Sequence, residues 1–323
     1  MLQVSEDSSV ISLQKYLRSR GWLNASEEIT TIEKAGDGNM NVVLRVTTSL
    51  RSIIVKQSRP FVQKYQNIAA PIERIAIEHT FYNTIKNSSI DQHIPKIVGY
   101  DEDSYILVME DLGNCDDMGY LYEKRTIEDH QIDTLVAISH HIHSSEPPSD
   151  FPDNLKMREL NHQHIFILPF LSDNGFSLDD IQPGLQKLSM HFKKDKRLKK
   201  ETEGIGDKYL SKGNTLVHGD YYPGSWMSKG NQIYIIDPEF GFIGFIEFDL
   251  GVMAAHLIMA THDINYIEKI ESSYPTMVDS ELLKKIAGIE IMRRIIGLAQ
   301  LPLKRTLKEK EELLTMAKNL ILS

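Results

Sequence analysis

LVHGDYYPGSWMSKGNQIYIIDPEF, residues 216–240, is the stretch of sequence that most constrains the fold and chemistry of this chain. A short apolar strand leads into a His-Gly-Asp tripeptide that ends at Asp220. A second apolar strand, Ile233–Ile236, leads directly into an Asp-Pro-Glu tripeptide that begins at Asp237. If the two strands pair with each other, Asp220 and Asp237 emerge on the same side of a sheet, so the pattern predicts two carboxylates close together.

Paired carboxylates of this kind suit phosphoryl transfer, whose transition state is stabilised mainly by positioning and charge neutralisation. In this interpretation Asp220 orients and deprotonates a hydroxyl group. Asp237 and Glu239 supply the oxygen ligands that Mg²⁺ prefers. The alternative is that each aspartate is only a turn or cap residue, where aspartate is common. Features earlier in the chain favour the functional interpretation.

The first 110 residues predict a small antiparallel sheet with one main helix packed on it. Residues 9–20 have apolar residues at helical spacing, followed by Gly21 as a stop signal. The order that follows is β-β-β-α-β-β. Its strands are expected at Thr30–Glu33, Asn41–Thr47, Arg51–Gln57, Ile97–Tyr100 and Tyr105–Met109, and its helix at Ile72–Lys86.

Lys56 lies inside an otherwise apolar strand, where burial of a charge is costly unless the charge is paired. Glu78, on the predicted helix, is a suitable partner. The pair would leave the lysine aimed at the α- and β-phosphates of a nucleotide. An exposed lysine on an edge strand is the alternative.

Two further segments suit nucleotide binding. A glycine turn between the first two strands offers backbone N–H groups that could cover phosphates, although ordinary hairpins use such turns as well. The end of the fifth strand could offer backbone groups to adenine. The turn comprises Gly36, Asp37, Gly38 and Asn39, and the strand end comprises Met109, Glu110 and Leu112.

Beyond Asp111 the pattern becomes mainly helical. Ile127–Ser145 is helical, residues 146–153 carry three prolines and predict a loop, and the part from Gly251 to Leu322 is mostly helical. The basic run at His191–Lys200 is expected to be a solvated helix face. The sequence therefore predicts an α+β protein with a nucleotide-binding lobe at 1–111 and a larger, mostly helical catalytic and substrate-binding lobe at 112–323.

Composition limits the classes of partner. The 323 residues carry a net charge of −9, which argues against nucleic acid because phosphate backbones need a basic footprint. Neither a secretory signal nor a membrane span is expected, since acidic residues interrupt the most apolar region. The single cysteine, Cys115, fits a reducing cytoplasm. A homodimer is left open.

Taken in order, these residues resemble the protein-kinase-like small-molecule kinases, a superfamily that includes aminoglycoside phosphotransferases and choline kinases. The resemblance is greatest to the 5-methylthioribose kinases. It covers nearly the whole chain, and Asp-Pro-Glu is among its most specific elements. The matching segments are GDGNMNVVLRV (36–46), IIVKQSRPFV (53–62), HGDYYPGS (218–225), IDPEFGFIGFIEFDLG (236–251) and MRRIIGLA (292–299).

The resemblance implies a two-lobed protein-kinase-like fold and an ATP- and Mg²⁺-dependent phosphotransferase acting on a small hydroxylated metabolite. It implies that Asp220 orients the 1-hydroxyl of a sugar. Arg293 and Arg294 would reach the substrate, and Asp249 would brace the catalytic loop with His218 packed beneath it. The pathway implied is methionine salvage.

The residues themselves support a role for the two arginines only in part. Neighbouring residues on a helix point about 100° apart, so at least one of Arg293 and Arg294 should lie beside the buried face. A buried guanidinium needs an anionic partner. A structural ion pair is therefore the alternative to a substrate contact.

Three positions depart from patterns of the superfamily. Tyr221-Tyr222-Pro223 stands where the family usually has Leu-His-Thr. Ser225 stands where many related kinases place an Asn metal ligand, although methylthioribose kinases also have Ser there. The segment between Gly251 and Arg293 is short in a region that helps to close over the sugar, which leaves the acceptor open. An aminoglycoside or another alcohol is thus an alternative acceptor, although arginines would disfavour a cationic antibiotic. A nucleotide-binding pseudokinase is a further alternative, which the retention of Lys56 and the acidic residues opposes.

Overall fold

The N-terminal part of the chain forms a five-stranded antiparallel sheet, flanked by helices. The computed structural model describes residues 2–36, 40–86 and 89–323. Within these residues the sheet order is β1-β2-β3-β7-β6. The elements are α1 (Val10–Ser19), β1 (Ile29–Lys34), β2 (Val42–Thr48), β3 (Ser52–Gln57), β4 (Phe61–Val62), β5 (Tyr65–Ala69), α2 (Arg74–Ile85), β6 (Ile97–Asp101) and β7 (Ile106–Glu110).

Apolar residues on both faces explain why this sheet is covered on both sides. One face packs on α1, where Leu17 meets the side chains of Val46 and Val55 in one buried cluster. The other face packs on α2, where Ile75 forms a cluster with Leu107 and Met109. The five predicted strands and the predicted helix are therefore confirmed to within two residues at most ends. The β4–β5 hairpin was not predicted.

The rest of the described chain is mostly helical, with three small pairings of short strands. It continues with 3₁₀ or π turns at 118–120, 163–170, 178–180, 223–225 and 238–240. Its other elements are β8 (Asp116–Asp117), α3 (Leu121–Lys124), α4 (Asp129–Ser144), α5 (Leu155–His162), α6 (Leu185–Lys193), α7 (Lys196–Leu210), β9 (Thr215–Val217), β10 (Trp226–Lys229), β11 (Gln232–Ile235), β12 (Phe242–Gly244), α8 (Ile246–Thr261), α9 (Tyr266–Ser273), α10 (Ser280–Ile296) and α11 (Leu307–Leu322).

The expected pairing between the two strands of the 216–240 segment is wrong. β9 pairs with β12, and β11 pairs with β10. The reason is local, because Gly230, with φ of 60°, closes a tight hairpin that gives β11 the neighbouring β10 as its partner. The edge of β9 is then taken by the strand that follows Asp-Pro-Glu.

A histidine joins the two loops that the strands do not join. Nδ1 of His218 accepts a hydrogen bond from the backbone N–H of Asp220, at 3.3 Å, and Nε2 donates one to the carbonyl of Ile236, at 3.0 Å. The donor pattern requires a proton on Nε2. The residue before Asp237 is thereby fixed next to the loop that carries Asp220.

The helices α8, α10 and α11 form the core of the larger lobe. In α8 every residue from Glu247 to Ala260 is buried, so this apolar stretch forms protein core. In the described part of the chain, no helix combines the length and the apolar character needed to cross a membrane. The basic run is not wholly solvated, because Lys193 is fully buried at the end of α6.

Close contact between α8 and α10 depends on Gly251. A Cβ atom added there would lie 2.6 Å from Cγ2 of Ile286 and 3.0 Å from the carbonyl of Leu283. We expect Gly251→Ala to lower the free energy of unfolding by about 1–3 kcal/mol through overpacking, despite the better helix propensity of alanine. Denaturant unfolding measures the effect.

The matched control is Gly204→Ala in α7, where no atom of the described part of the chain lies within 4 Å of the added Cβ. That change should stabilise the protein by up to about 1 kcal/mol. Equal effects of the two substitutions would contradict the packing argument.

Candidate active site

Lys56 is the centre of the charged cleft between the two parts of the molecule. Its Nζ lies 2.6 Å from Oε2 of Glu78 on α2 and 2.6 Å from Oδ1 of Asp237. The lysine side chain is 3% exposed, so it is not the solvent-exposed edge lysine of the alternative interpretation. The predicted Lys56–Glu78 pair is confirmed.

The surrounding carboxylates keep Lys56 charged. Burial by itself would lower the pKa of this lysine, but the negative charges of Asp237, Glu78 and Glu239 outweigh burial and hold the pKa above its ordinary value. At neutral pH the cleft therefore contains a fixed ammonium group with no water shell of its own. Such a group can bind phosphate oxygens.

Glu239 ties the sheet and α2 to the Asp-Pro-Glu turn. Its Oε2 accepts a hydrogen bond from Nδ2 of Asn41, at 2.8 Å, and lies 3.1 Å from Nε of Arg74. Arg74 is fully buried and also donates to the carbonyl of Met40, at 2.6 Å. Met40 and Asn41, which follow the glycine turn in the chain, are thus connected to the predicted metal loop.

Asp237 has the more accessible of the two predicted metal-binding carboxylates. Its side chain is 47% exposed, whereas that of Glu239 is 5% exposed. Among the described residues, no group of three or more acidic, histidine or cysteine side chains is arranged to hold a metal alone. Mg²⁺ is usually bound by one or two carboxylates together with phosphates and water, and the accessible carboxylate of Asp237 is the type of ligand that it would use.

The backbone of Asp237 is in the left-handed region, with φ of 62°. This conformation is uncommon outside glycine and costs about 1–3 kcal/mol. The turn is held by Asn154, whose Nδ2 donates to the carbonyls of Glu239 and Gly241, both at 3.1 Å. The fold therefore keeps the carboxylate of Asp237 turned towards Lys56.

Asp249 braces the loop that carries Asp220. Its carboxylate accepts hydrogen bonds from the backbone N–H groups of His218, at 2.7 Å, and Gly219, at 3.0 Å. Nε2 of His143 lies 3.1 Å from the same carboxylate. The bracing role expected for Asp249 is confirmed, and His143 of α4 takes part in it.

Asp220 lines the same cleft as Lys56 and Asp237, together with Tyr222 and Ser225. The convergence predicted for the two aspartates is therefore found, although it does not arise from strand pairing. Burial raises the pKa of Asp220 to about 6, against the opposing effect of Arg294 and Arg293. A carboxyl group with this pKa is ionised at neutral pH and can still accept a proton.

The two arginines lie at the other side of Asp220. NH2 of Arg294 is 3.3 Å from Oδ1 of Asp220, and its guanidinium carbon is 4.7 Å from the centre of the Tyr222 ring. Arg293 and Arg294 also share Glu290, with closest distances of 2.9 and 2.6 Å. Glu290 is thus the anionic partner predicted for a buried arginine. Arg294 both forms a structural ion pair with Glu290 and lies beside Asp220.

The strand end predicted to contact adenine lies where the two parts of the molecule join. Met109 and Glu110 end β7, and the carbonyl of Leu112 accepts from Nζ of Lys229, at 3.2 Å. Asp111 is held by a bidentate contact from Arg45, at 2.8 and 3.2 Å. The structure leaves adenine binding here as a prediction.

The glycine turn is described only at its first residue. No atom of the described residues lies within 4 Å of a Cβ added to Gly36. Asp37, Gly38 and Asn39 lie outside the described residues, and their role stays a prediction.

Sequence reasoning missed four residues that shape the cleft. Asn41, Arg74 and His256 act through contacts between segments far apart in the chain, so no local pattern indicates them. A signal was available for Glu290, which precedes the two arginines by one helical turn, the spacing of side-chain pairs. The four are Asn41, Arg74, His256 and Glu290.

Comparison with known proteins identifies the family. Residues 31–279 match the model of the phosphotransferase enzyme family, and the chain belongs to this family. It is 27% identical over 334 residues to a methylthioribose kinase of Geobacillus sp. (strain WCH70), covering 86% of this chain and 80% of that protein. A methylthioribose kinase of Bacillus cereus (strain G9842) is 28% identical over 271 residues, covering 77% of this chain but only 65% of that protein.

A solved structure supports the fold. Spectinomycin phosphotransferase in complex with ADP and spectinomycin covers 98% of this chain and 98% of its own, with a TM-score of 0.56 and 14% identity. The predicted α+β, two-lobed protein-kinase-like fold is confirmed. With the family, the relatives make this chain a phosphotransferase that acts on a hydroxyl group of a small molecule.

The buried lysine pair generates a stability prediction. Burial raises the pKa of Glu78 to about 8, against the opposing effect of Lys56, so its carboxylate is fully ionised only above that pH. At pH 9 we expect Glu78→Gln to lower the free energy of unfolding by about 2–4 kcal/mol, because it removes one counter-charge from a buried ammonium. The matched control is Glu73→Gln at the start of the same helix, where the carboxylate is 58% exposed and 3.8 Å from Lys156. That exposed pair should contribute less than about 1 kcal/mol. Equal losses in urea unfolding would show that Glu78 does not compensate Lys56.

Proposed function

We propose that this protein transfers the γ-phosphoryl group of ATP, with Mg²⁺, to a hydroxyl of a small uncharged sugar, with 5-methylthioribose as the acceptor. The names of the relatives support the acceptor. The observation that carries the proposal is that Lys56, Asp237 and Asp220 line one cleft, with Arg294 against Asp220. A phosphoryl donor, a metal and a hydroxyl acceptor need these three kinds of group in that order.

On the nucleotide side, residues 1–111 would bind ATP. Lys56, fixed by Glu78, would contact the phosphates, and the Gly36–Asn39 turn would cover them. Adenine would bind at Met109, Glu110 and Leu112. Asp237 would hold Mg²⁺, with Glu239 contributing the oxygen that Asn41 and Arg74 do not occupy. When bound, the metal would neutralise charge on the phosphates.

On the acceptor side, residues 112–323 would bind the sugar. Asp220 would orient the hydroxyl and take its proton, and Arg293 and Arg294 would contact other oxygens through their rigid donor forks. The charges of the two arginines are balanced by Asp220 and Glu290. A site without net charge favours an uncharged acceptor over a cationic one.

An aminoglycoside acceptor is the second candidate, supported by the similar fold of spectinomycin phosphotransferase. The arginines beside Asp220 weigh against a polycationic antibiotic, since like charges at close range repel. A pseudokinase is less well supported, because Lys56, Asp220 and Asp237 are all present and converge. The proposal places the enzyme in the cytoplasm, where Cys115 would stay reduced, and leaves a homodimer open.

The direct test is ATP consumption by the purified protein with Mg²⁺ against a panel of acceptors. The panel contains 5-methylthioribose, ribose, choline, spectinomycin and kanamycin. We expect the highest kcat/KM with 5-methylthioribose, and low activity with the cationic compounds. Highest kcat/KM with an aminoglycoside would replace the proposed acceptor, and no consumption with any alcohol would favour a pseudokinase.

The role of Asp220 predicts a pH dependence. Because the pKa of Asp220 is raised to about 6, kcat/KM of the wild type should fall about tenfold per pH unit below pH 6, as the base becomes protonated. Asp220→Asn should reduce kcat by about 10²–10⁴-fold and remove this acidic limb, while ATP binding is kept. Near-normal turnover by Asp220→Asn would exclude Asp220 as the base.

A further inference from the structure

Glu290 lies on α10 one helical turn before the two arginines, and it is 1% exposed. Its carboxylate contacts three side chains. NH1 of Arg293 is 2.9 Å from Oε2, Nε of Arg294 is 2.6 Å from Oε1, and Nε2 of His256 is 3.1 Å from Oε1. Both oxygens are therefore engaged, and the carboxylate is held from two helices.

His256 extends this network through α8 to Tyr122. Its Nδ1 lies 2.6 Å from the hydroxyl of Tyr122. Burial lowers the pKa of His256 to about 4, so the ring is neutral at pH 7. With the Tyr122 hydroxyl donating to Nδ1, the proton of the ring lies on Nε2 and faces Glu290. The hydrogen-bond network thus fixes the direction from which Glu290 accepts.

We propose that Glu290 is a positioning residue of the acceptor site, which fixes the guanidinium groups of Arg293 and Arg294 so that Arg294 meets Asp220 over the ring of Tyr222. The contacts of Glu290 and Arg294 support this role whatever the acceptor is. The identity of the acceptor used to test it rests on the proposed function.

The physical need for such a residue follows from the arginine side chain. A free arginine side chain has about 2 kcal/mol of rotamer entropy, and two adjacent guanidinium groups repel each other. Glu290 binds Nε of Arg294 and leaves NH2 directed at Oδ1 of Asp220. It also supplies the second negative charge that balances the pair. Without it, Asp220 would face two unrestrained cations.

A purely structural ion pair makes a different prediction. Loss of such a pair would lower stability and would weaken all ligands alike, or none. A positioning role acts on one substrate, because the arginines lie beside Asp220 and Lys56 lies on the other side of the cleft. The informative measurement is therefore whether a substitution of Glu290 changes the KM for the acceptor by a larger factor than the KM for ATP.

Two variants and one control separate these roles. Glu290→Gln keeps the size of the side chain and removes its charge, and Glu290→Asp keeps the charge and shortens the reach. Glu281→Gln is the control on the same helix, since Glu281 is 67% exposed and pairs with Lys285. We expect both Glu290 variants to raise the KM for 5-methylthioribose by about tenfold or more, the effect of one charged hydrogen bond. The KM for ATP should change less than about twofold, and Glu281→Gln should resemble the wild type.

An unchanged acceptor KM in a folded Glu290 variant, or equal rises in both KM values, would overturn the proposal. If one variant does not fold, the other provides the same comparison. A binding measurement covers the case in which the wild type phosphorylates no acceptor and the proposed function itself fails. With ADP present, ribose 5-phosphate should raise the melting temperature of Glu290→Gln more than that of the wild type, because the arginines have lost their anion. Equal shifts would contradict the proposal whatever the acceptor is.

Discussion

The buried ammonium of Lys56 is the interaction on which the rest of the site depends. A cation without water needs anions at contact distance, and here they come from two separate places, Glu78 on α2 and Asp237 in the larger lobe. The sheet, the helix and the Asp-Pro-Glu turn therefore have to meet at one point. Glu239 adds a second connection through Asn41 and Arg74, so charged and polar contacts hold the two sides of the cleft together.

The charges around this point differ between the two sides of the cleft. Near Lys56, three carboxyl groups face two cations, Lys56 and Arg74. An excess of negative charge develops there when Glu78 ionises, and burial raises the pKa of Glu78 to about 8. Near Asp220, the carboxylates of Asp220 and Glu290 balance Arg293 and Arg294. An excess of negative charge attracts a divalent cation, and a balanced cluster discriminates against charged acceptors. In the proposed reaction the metal-bound donor and the neutral alcohol thus find environments of different charge.

The sequence was most informative where structure is local. Short apolar segments predicted the strands around Lys56, and a lone lysine among apolar residues predicted its pairing with Glu78. The predicted pairing of β9 with β11 was wrong because β11 pairs with β10 through a tight hairpin at Gly230. Closing such a short loop costs less entropy than closing the longer connection between β9 and β11. The contact between His256 and Glu290 was missed because it joins residues 34 positions apart on two different helices. A buried network of this kind has no periodicity in the sequence.

Tyr222 is the point at which the departure of this loop from the family pattern meets the arginine network. The ring of Tyr222 lies under the guanidinium of Arg294 and 5.0 Å from the ring of His256. It therefore contacts the arginine network held by Glu290, on the acceptor side of Asp220, and Lys56 has no part in these contacts. The backbone N–H groups that Asp249 binds precede this position, so the change leaves the bracing of the loop intact. In the proposed function, divergence at Tyr222 would therefore act on the fit of the acceptor, whereas the donor side retains Lys56, Glu78 and Asp237.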